Sequence, residues 1–206
     1  FDSLYGLFPG ANGLSQSSPA SLNQTDRFDK PISAQTGQPF SLISGSLTLT
    51  TPPQPINAGK IDTRFTSGLN TLLPYDVLKN STLQANDTTG DLVHRYWHEQ
   101  SQIDHGAMDW FVTWSDNPGL TMSYFDATNM PEGLLAQKYT MADNFFHAAF
   151  GGSFLNHQFL ISAAAPVYPN APTAMQAVLD MDGQLLVNAT TGKIVHDGNV
   201  TPIGGV

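Results

Sequence analysis

The chain has 206 residues, which is enough for one hydrophobic core of ordinary size or for a large part of a bigger domain. Hydrophobic residues make up 40% of it, so the composition is that of a globular protein and not of a disordered one. The 17 acidic and 8 basic residues give a net charge of -9, and this excess of negative charge argues against a nucleic-acid partner.

The composition excludes some further classes. The chain has no cysteine, which rules out disulfides, thiol catalysis and cysteine metal sites. No apolar run approaches the roughly 20 residues that a bilayer span requires, so we expect no integral membrane segment. Phe1 is not a methionine start and opens no signal-peptide pattern, so we expect a cut or processed N-terminus. Only 12% of the residues are charged, and this low charge favours a secreted or periplasmic enzyme.

The first 60 residues carry little regular pattern. The opening apolar residues are interrupted at Pro9-Gly10 and Asn12-Gly13, two dipeptides that favour turns. Residues 17–60 are rich in Ser, Thr, Pro, Gln and Gly. Within them, Phe40 to Leu49 alternates between apolar and polar residues, which predicts an arm of a β-hairpin.

A helix is predicted from Asp91 to Asp104, because apolar residues recur there at helical spacing and Asp91 is a suitable N-cap. His94 and His98 are four residues apart and would share one face of this helix. Such a pair can bind a metal, but zincin-type sites also place a glutamate between the histidines, and positions 95 to 97 contain none. The alternative is that these histidines make ordinary hydrogen bonds.

Three tryptophans and an apolar segment follow. Trp97, Trp110 and Trp114 are predicted to be core residues and not parts of a ligand-binding box, because large aromatic side chains dominate protein cores. Leu120 to Asp126 is short and apolar, which predicts a buried strand or the approach to one.

Two further elements are predicted beyond this segment. A helix is expected from Pro131 to Lys138, with Pro131 in its first turn and Thr128 or Asn129 as its cap. Gln184 to Asn188 is predicted as another strand.

The chemistry of the chain is predicted at Ser153. Thr140 to Phe146 is interpreted as a strand, Gly151 and Gly152 as a tight turn, and the apolar residues after Ser153 as a helix. In an α/β sheet this order presents a reactive group at the carboxyl end of a strand. The first N–H groups of the helix and its dipole of roughly +0.5 charge would hold a phosphate beside the hydroxyl.

Spacing alone leaves a simpler reading of Ser153 open. Serine is among the commonest N-cap residues, and Gly-Gly-Ser before an apolar helix is usually only a turn and a cap. By the residues alone, both the nucleophile and the cap stay possible.

Three segments resemble the phosphoesterase family, which contains bacterial metal-dependent acid phosphatases and phospholipases C and belongs to the alkaline phosphatase superfamily. They are Tyr139 to His147, Gly151 to His157 and Leu160 to Ala164. The phospholipase C relatives have a Gly-Pro-Thr turn, whereas Gly-Gly-Ser resembles the acid phosphatase branch. The segment Gly90 to Arg95 also resembles that branch.

The resemblance implies a function and a site. It implies that Ser153 is the nucleophile, passes through a phosphoserine intermediate and contacts a divalent metal ion. It implies that His94 lines the phosphate site, and we expect Gly152, Asn156 and His157 to bind substrate there as well. Asn156 and His157 lie one turn into the helix, where side chains often fix the turn by hydrogen bonding instead.

The resemblance also implies a fold, and it shows that some residues of the family pattern are missing from this chain. It implies an α/β chain forming part of a three-layer sandwich with a mainly parallel central sheet. The family's N-terminal Glu-Asn pair and C-terminal Asp-Asp pair have no counterpart here, so we expect residues 1–206 to be a partial phosphoesterase domain that by itself is weakly active or inactive. The expected function of the parent is hydrolysis of small phosphomonoesters. The alternatives are a phospholipase C acting on phosphodiesters and a non-catalytic binding module.

Overall fold

The computed structural model describes most of the chain outside one long internal segment. The described residues are 1–22, 24–25, 74–79, 81–90, 92, 94–112, 114–115, 118–190 and 194–198. The β-hairpin arm predicted at 40–49 lies outside them, and so does Asp91.

Two short strands form a parallel sheet. They are β1 (Tyr75–Asp76) and β2 (Ser123–Tyr124), with Tyr75 opposite Ser123 and Asp76 opposite Tyr124. The strand predicted within 120–126 is present as β2, but β2 is half-buried and not buried, and Leu120 and Thr121 end a short helix instead. Helices combined with a small parallel sheet are compatible with the predicted α/β class.

The α-helices of the described residues are short. In chain order they are α1 (Asp2–Tyr5), α2 (Tyr96–Ile103), α3 (Pro118–Thr121), α4 (Pro131–Lys138) and α5 (Ser153–Ser162). Single 3₁₀ turns occur at Leu14–Gln16, Pro19–Leu22, Asp104–Gly106, Ala127–Asn129 and Thr173–Met175. Among the residues described, no helix has the length and apolar character that crossing a membrane requires.

The helix predicted from Pro131 is confirmed as α4, but its predicted cap is wrong. The N-cap is Met130, which makes no side-chain capping bond, and Pro131 occupies the first turn. Thr128 is engaged elsewhere, because its N–H and hydroxyl both donate to the carboxylate of Asp126 at 3.1 and 2.6 Å. The 3₁₀ turn formed in this way ends before the helix starts.

The helix predicted at 91–104 is confirmed only from Tyr96 to Ile103. Its N-cap is Arg95, which has extended backbone angles and an ion pair with Asp197. His94 therefore precedes the helix, and the prediction that His94 and His98 share one helix face is wrong. The side chain of His98 is fully buried, whereas that of His94 is exposed.

The strand predicted from Thr140 to Phe146 is also wrong. This segment is irregular and makes a turn at Asp143 and Asn144. Asn12 holds the turn, since its N–H donates to the Asp143 carboxylate at 2.7 Å and its side-chain amide donates to the Asn144 oxygen at 3.0 Å. Within the turn the side-chain amide of Asn144 also donates to the Asp143 carboxylate at 3.2 Å, and Asp and Asn side chains favour turns over a β-ladder.

Two buried clusters support the described part of the chain. The first surrounds the sheet and consists of Tyr75, Val77, Leu83 and Leu120. The second consists of Trp114, Leu185 and Ile194, with Trp97 and Trp110 packed against it. The prediction that the tryptophans are core residues is confirmed.

The strand predicted at 184–188 is present only as short antiparallel bridges. Leu185 pairs with Leu179 and Val187 pairs with Ile194. These bridges place Leu185 in the second cluster, next to α2.

Candidate active site

Ser153 is the first residue of α5, as predicted. Gly152 is the N-cap, with extended backbone angles, and the Ser153 side chain is exposed. The first N–H groups of a helix have no intrahelical carbonyl partners, and the helix dipole adds roughly +0.5 charge there. The hydroxyl therefore lies where an anion would be stabilised.

The two glycines before Ser153 are required for different reasons. Gly151 has a φ of +133°, which residues with a side chain rarely adopt. Gly152 has an ordinary φ, but a Cβ at this position would collide with the carbonyl oxygen of His94. Only a glycine allows the backbone at His94 to pass this close, so His94 is fixed beside the loop that carries Ser153.

Asn156, a residue of α5, holds the same loop by side-chain hydrogen bonds. Its side-chain amide donates to the carbonyl oxygens of Gly151 at 2.9 Å and Gly152 at 3.3 Å, and its side-chain oxygen accepts the N–H of Ala149 at 3.3 Å. These hydrogen bonds fix the turn, which is the structural role that side chains one turn into a helix often have. Binding of substrate by Asn156 stays a prediction.

Each of the two histidines predicted at the site uses one ring nitrogen for a backbone bond. Nδ1 of His157 lies 2.7 Å from the Ser153 carbonyl oxygen, and Nδ1 of His94 lies 2.7 Å from the Leu92 carbonyl oxygen. A carbonyl oxygen only accepts, so Nδ1 carries the proton in both rings. The ring of His157 is therefore held against the turn that contains Ser153.

An open pocket of about 480 Å³ surrounds the Ser153 side chain. Its lining residues are Glu99, Phe146, His147, Ala149, Phe150, Gly151, Gly152, Ser153 and Asn156. Ser153, Gly152 and Asn156 are thus brought together as predicted. His94 contacts the site through its backbone at Gly152, and His157 contacts it through the Ser153 carbonyl oxygen.

Glu99 is the pocket residue that sequence reasoning missed. It lies in α2, is half-buried and faces the aromatic side of the pocket. Burial raises the pKa of its carboxyl group, while the charges of His94 and His147 act in the opposite direction. The sequence carried one signal, a glutamate in a predicted helix close to a candidate phosphate-binding histidine, but only the contact between α2 and the Gly151–Gly152 loop identifies its position.

The described residues do not complete a metal centre. Among them there is no group of three or more His, Asp or Glu side chains placed to hold an ion. Divalent ions that act on phosphates need several such oxygen or nitrogen ligands. The described side chains around Ser153 therefore do not make up a metal site by themselves, and the role of Ser153 as a metal ligand stays a prediction.

Comparison with protein families gives one match. The model of the Phosphoesterase family matches residues 1–202, which is nearly the whole 206-residue chain. No curated protein and no solved structure matches the chain. The matched region contains both α2 with Glu99 and α5 with Ser153, so it includes every residue of the pocket.

Proposed function

Because the chain belongs to the phosphoesterase family, we propose that it hydrolyses phosphomonoesters in the manner of an acid phosphatase, with Ser153 as the nucleophile. One observation carries this proposal. Ser153 is exposed in an open pocket at the first position of α5, where unpaired N–H groups and the helix dipole favour a phosphate. The resemblance of the Gly-Gly-Ser turn to the acid phosphatase branch supports a monoester in preference to a diester.

The proposed reaction has two steps. Oγ of Ser153 attacks phosphorus, the P–O bond to the alcohol breaks, and the hydroxyl proton passes to water in the open pocket. A water molecule then attacks the phosphoserine, the bond between phosphorus and Oγ breaks, and inorganic phosphate leaves. The N–H groups at the start of α5 stabilise the negative charge on the phosphoryl oxygens in both steps.

The neighbouring residues have supporting roles in this proposal. Gly152 lets the phosphate approach the main chain, and Asn156 keeps the loop in one conformation. His94, whose backbone lies against Gly152, and His157, whose Nδ1 is bound to the Ser153 carbonyl oxygen, are proposed to hydrogen-bond phosphate oxygens or the leaving group.

The proposal includes a metal requirement and weak activity. The phosphoesterase family is generally metal-dependent, and we propose Ser153 as one contact of a divalent ion. Because the described residues supply no three-residue metal group, we expect turnover of this chain to fall far below the roughly 1–10³ s⁻¹ of ordinary enzymes.

We also extend to this chain three features implied by the family resemblance. They are membership of a larger three-layer sandwich with a mainly parallel sheet, the status of residues 1–206 as part of a phosphoesterase domain, and a secreted or periplasmic location. The small parallel sheet supports the first of these. The low fraction of charged residues supports the last.

A phospholipase C activity is the second candidate. Phe145, Phe146 and Phe154 are 81, 79 and 70% exposed near the pocket, so apolar side chains surround the place where an ester group would extend. Of these three, Phe146 lines the pocket and the other two are chain neighbours of pocket residues; exposed apolar side chains there would suit the acyl chains of a phosphodiester lipid. Hydrolysis of phosphatidylcholine but not of a phosphomonoester would favour this candidate.

Replacement of Ser153 by alanine tests the proposal. Ser153→Ala should abolish both the slow release of alcohol from 4-nitrophenyl phosphate and the covalent phosphorylation of the chain, which mass spectrometry detects after acid quenching. Ser162→Ala is the matched control, because Ser162 lies at the other end of α5 and donates to the Gln158 carbonyl oxygen. Unchanged phosphorylation of Ser153→Ala, or none in the unaltered chain with divalent ions present, would favour the non-catalytic module.

A further inference from the structure

We propose that Glu99 is the catalytic acid of this site and protonates the alcohol that leaves when Ser153 attacks phosphorus. This inference rests on the function proposed above. It adds a residue and a chemical role that neither the family match nor the sequence motifs assign.

The contact between α2 and the loop before α5 places Glu99. The Tyr96 ring meets the Phe150 ring edge to face, with centroids 5.3 Å apart. The carbonyl oxygen of His94 lies against Gly152 so closely that a Cβ would collide with it. Residues three apart lie on one side of a helix, so Glu99 follows Tyr96 on the side that faces the loop.

Buried side chains next to Glu99 anchor α2, which holds the Glu99 backbone in place. On the side away from Glu99, the hydroxyl of Ser101 donates to the Gln184 side-chain oxygen at 2.9 Å, and one turn after Glu99 the side-chain amide of Gln102 donates to the Trp114 carbonyl oxygen at 3.2 Å. Both residues are buried. A proton donor must be held at one place relative to the leaving oxygen, and a helix fixed by buried side chains meets this requirement.

The surroundings of Glu99 favour the protonated carboxyl group. Phe146 and Phe150 line the same pocket, and burial raises the pKa of Glu99. The titratable groups that act on it are His94 and His147, whose positive charge lowers the pKa. Its other polar neighbours in the pocket, Ser153 and Asn156, are uncharged. Apolar walls that raise the pKa of a carboxyl group are usual around a catalytic acid.

Charge gives a second argument for a neutral Glu99. An ionised carboxylate in this pocket would repel the phosphate that the start of α5 attracts. A protonated one removes this repulsion and supplies the hydrogen that the leaving oxygen needs. The two groups, which line the same pocket, therefore have complementary tasks, since Ser153 forms the new bond and Glu99 assists the breaking one.

The proposed proton transfers balance over the whole reaction. As the ester P–O bond breaks, its electron pair goes to the ester oxygen, which takes the Glu99 proton and leaves as the alcohol. Glu99 is then a carboxylate. In the second step the attacking water gives its proton to this carboxylate, phosphorus is transferred from Oγ to the water oxygen, and Ser153 regains a proton from solvent.

Glu99→Gln tests the role through the choice of leaving group. An alkoxide needs a proton in order to leave, whereas 4-nitrophenolate leaves readily without one. We therefore expect Glu99→Gln to phosphorylate Ser153 roughly 10² times more slowly with glycerol 2-phosphate, the loss typical of a missing general acid, and only a few times more slowly with 4-nitrophenyl phosphate. Single-turnover labelling, followed by mass spectrometry, measures both rates even when turnover is slow.

A control and a pH profile complete the experiment. Glu132→Gln alters an exposed glutamate in α4 and should leave both rates unchanged. In the unaltered chain the glycerol 2-phosphate rate should decline as rising pH ionises Glu99, and Glu99→Gln should lack this decline.

The outcomes separate the two proposals. Equal slowing of both substrates by Glu99→Gln, with Ser153→Ala unlabelled, would leave Ser153 as nucleophile and overturn the acid role of Glu99. Absence of labelling in the unaltered chain would overturn both proposals for this chain. Slowing confined to glycerol 2-phosphate, together with the lost decline in the pH profile, supports Glu99 as the acid.

Discussion

The helices α2 and α5 both contribute residues to the pocket and differ in what they bury. Three of the eight residues of α2 are buried, and they are the polar residues His98, Ser101 and Gln102. None of the ten residues of α5 is buried in the part of the chain that the structure describes, although half of them are apolar. Leu160 and Ile161 are 85 and 84% exposed.

This difference shows that the hydrophobicity of a helix does not by itself decide whether its side chains are buried against the rest of the protein. Polar residues of α2 are tolerated inside because Ser101 and Gln102 have hydrogen-bond partners, which offsets the cost of removing them from water. In contrast, no residue of α5 is buried among those described, and the side chain of its Asn156 is hydrogen-bonded to the loop that precedes the helix. The pocket thus combines an anchored wall that carries Glu99 with an open wall that carries Ser153.

The same substitution in the two regions should have unequal effects on stability. Leu185 is 2% exposed in the cluster that contacts Trp97 of α2, so Leu185→Ala should lower the free energy of unfolding by about 3–4 kcal/mol. Leu160→Ala in α5 removes an exposed side chain and should change it by less than about 0.5 kcal/mol. Urea denaturation followed by tryptophan fluorescence measures both values.

The same two variants also test whether α2 and α5 really differ in how they are packed. A loss for Leu160→Ala as large as that for Leu185→Ala would mean that α5 is packed in solution. A small loss for Leu185→Ala would mean that the tryptophan cluster is not the support of α2.

The buried His98 of α2 should make the stability of the folded chain sensitive to acid. Burial lowers the pKa of His98 to about 4, with Asp197 opposing the shift and Arg95 adding to it. Within the described part of the chain, neither ring nitrogen of His98 has a hydrogen-bond partner. The unfolded chain, with a histidine pKa near 6.5, therefore binds a proton more readily than the folded chain, so stability is full above about pH 6.5 and falls as the pH drops towards 4.

Replacement of His98 by leucine isolates this contribution. The loss between pH 6.5 and 4 should reach at most about 3 kcal/mol, since one pKa unit corresponds to about 1.4 kcal/mol. His98→Leu removes the titrating group and two unpartnered nitrogens, so its unfolding free energy should vary less with pH than that of the unaltered chain. His105→Gln, at an exposed position, is the control. If the unfolding free energies of all three proteins changed with pH in the same way, His98 would not be the group that causes the acid sensitivity.

Part of this fold was predictable from the sequence. The helix from Pro131 and the position of Ser153 at a helix start both follow from local signals, a proline at N1 and a glycine pair before an apolar run. The tryptophan core also followed, because residues of this size are rarely left in solvent.

The errors arose where contacts distant in sequence override local pattern. Periodicity predicted that α2 begins at Asp91, but the pairing of Arg95 with Asp197 and the passage of His94 against Gly152 require extended backbone there. Apolar and aromatic residues predicted a strand at 140–146, but this segment forms a turn, and the N–H of Asn12 donates a hydrogen bond to Asp143 there. Glu99 was missed for the same reason, since its role depends on the contact between α2 and a loop about 50 residues away.

Gly152 is the position at which the two walls meet, and Gly152→Ala should separate them. The added Cβ would collide with the His94 carbonyl oxygen, a backbone atom that moves only if the start of α2 moves with it. Overpacking of this kind costs about 1–3 kcal/mol, and displacement of Glu99 relative to Ser153 by about 1 Å should slow phosphorylation of Ser153 by roughly 10². The same labelling assay measures the rate, and urea denaturation measures the stability.

Gly106→Ala provides the control that separates the two effects. Gly106 has a φ of +104° and open space where a Cβ would be, so alanine there introduces backbone strain without a collision and away from the pocket. We expect Gly106→Ala to lose stability and to keep the labelling rate. If Gly152→Ala labels Ser153 as fast as Gly106→Ala does, the close contact at His94 is not what aligns the two walls, and the catalytic geometry must be set by Asn156 and the loop alone.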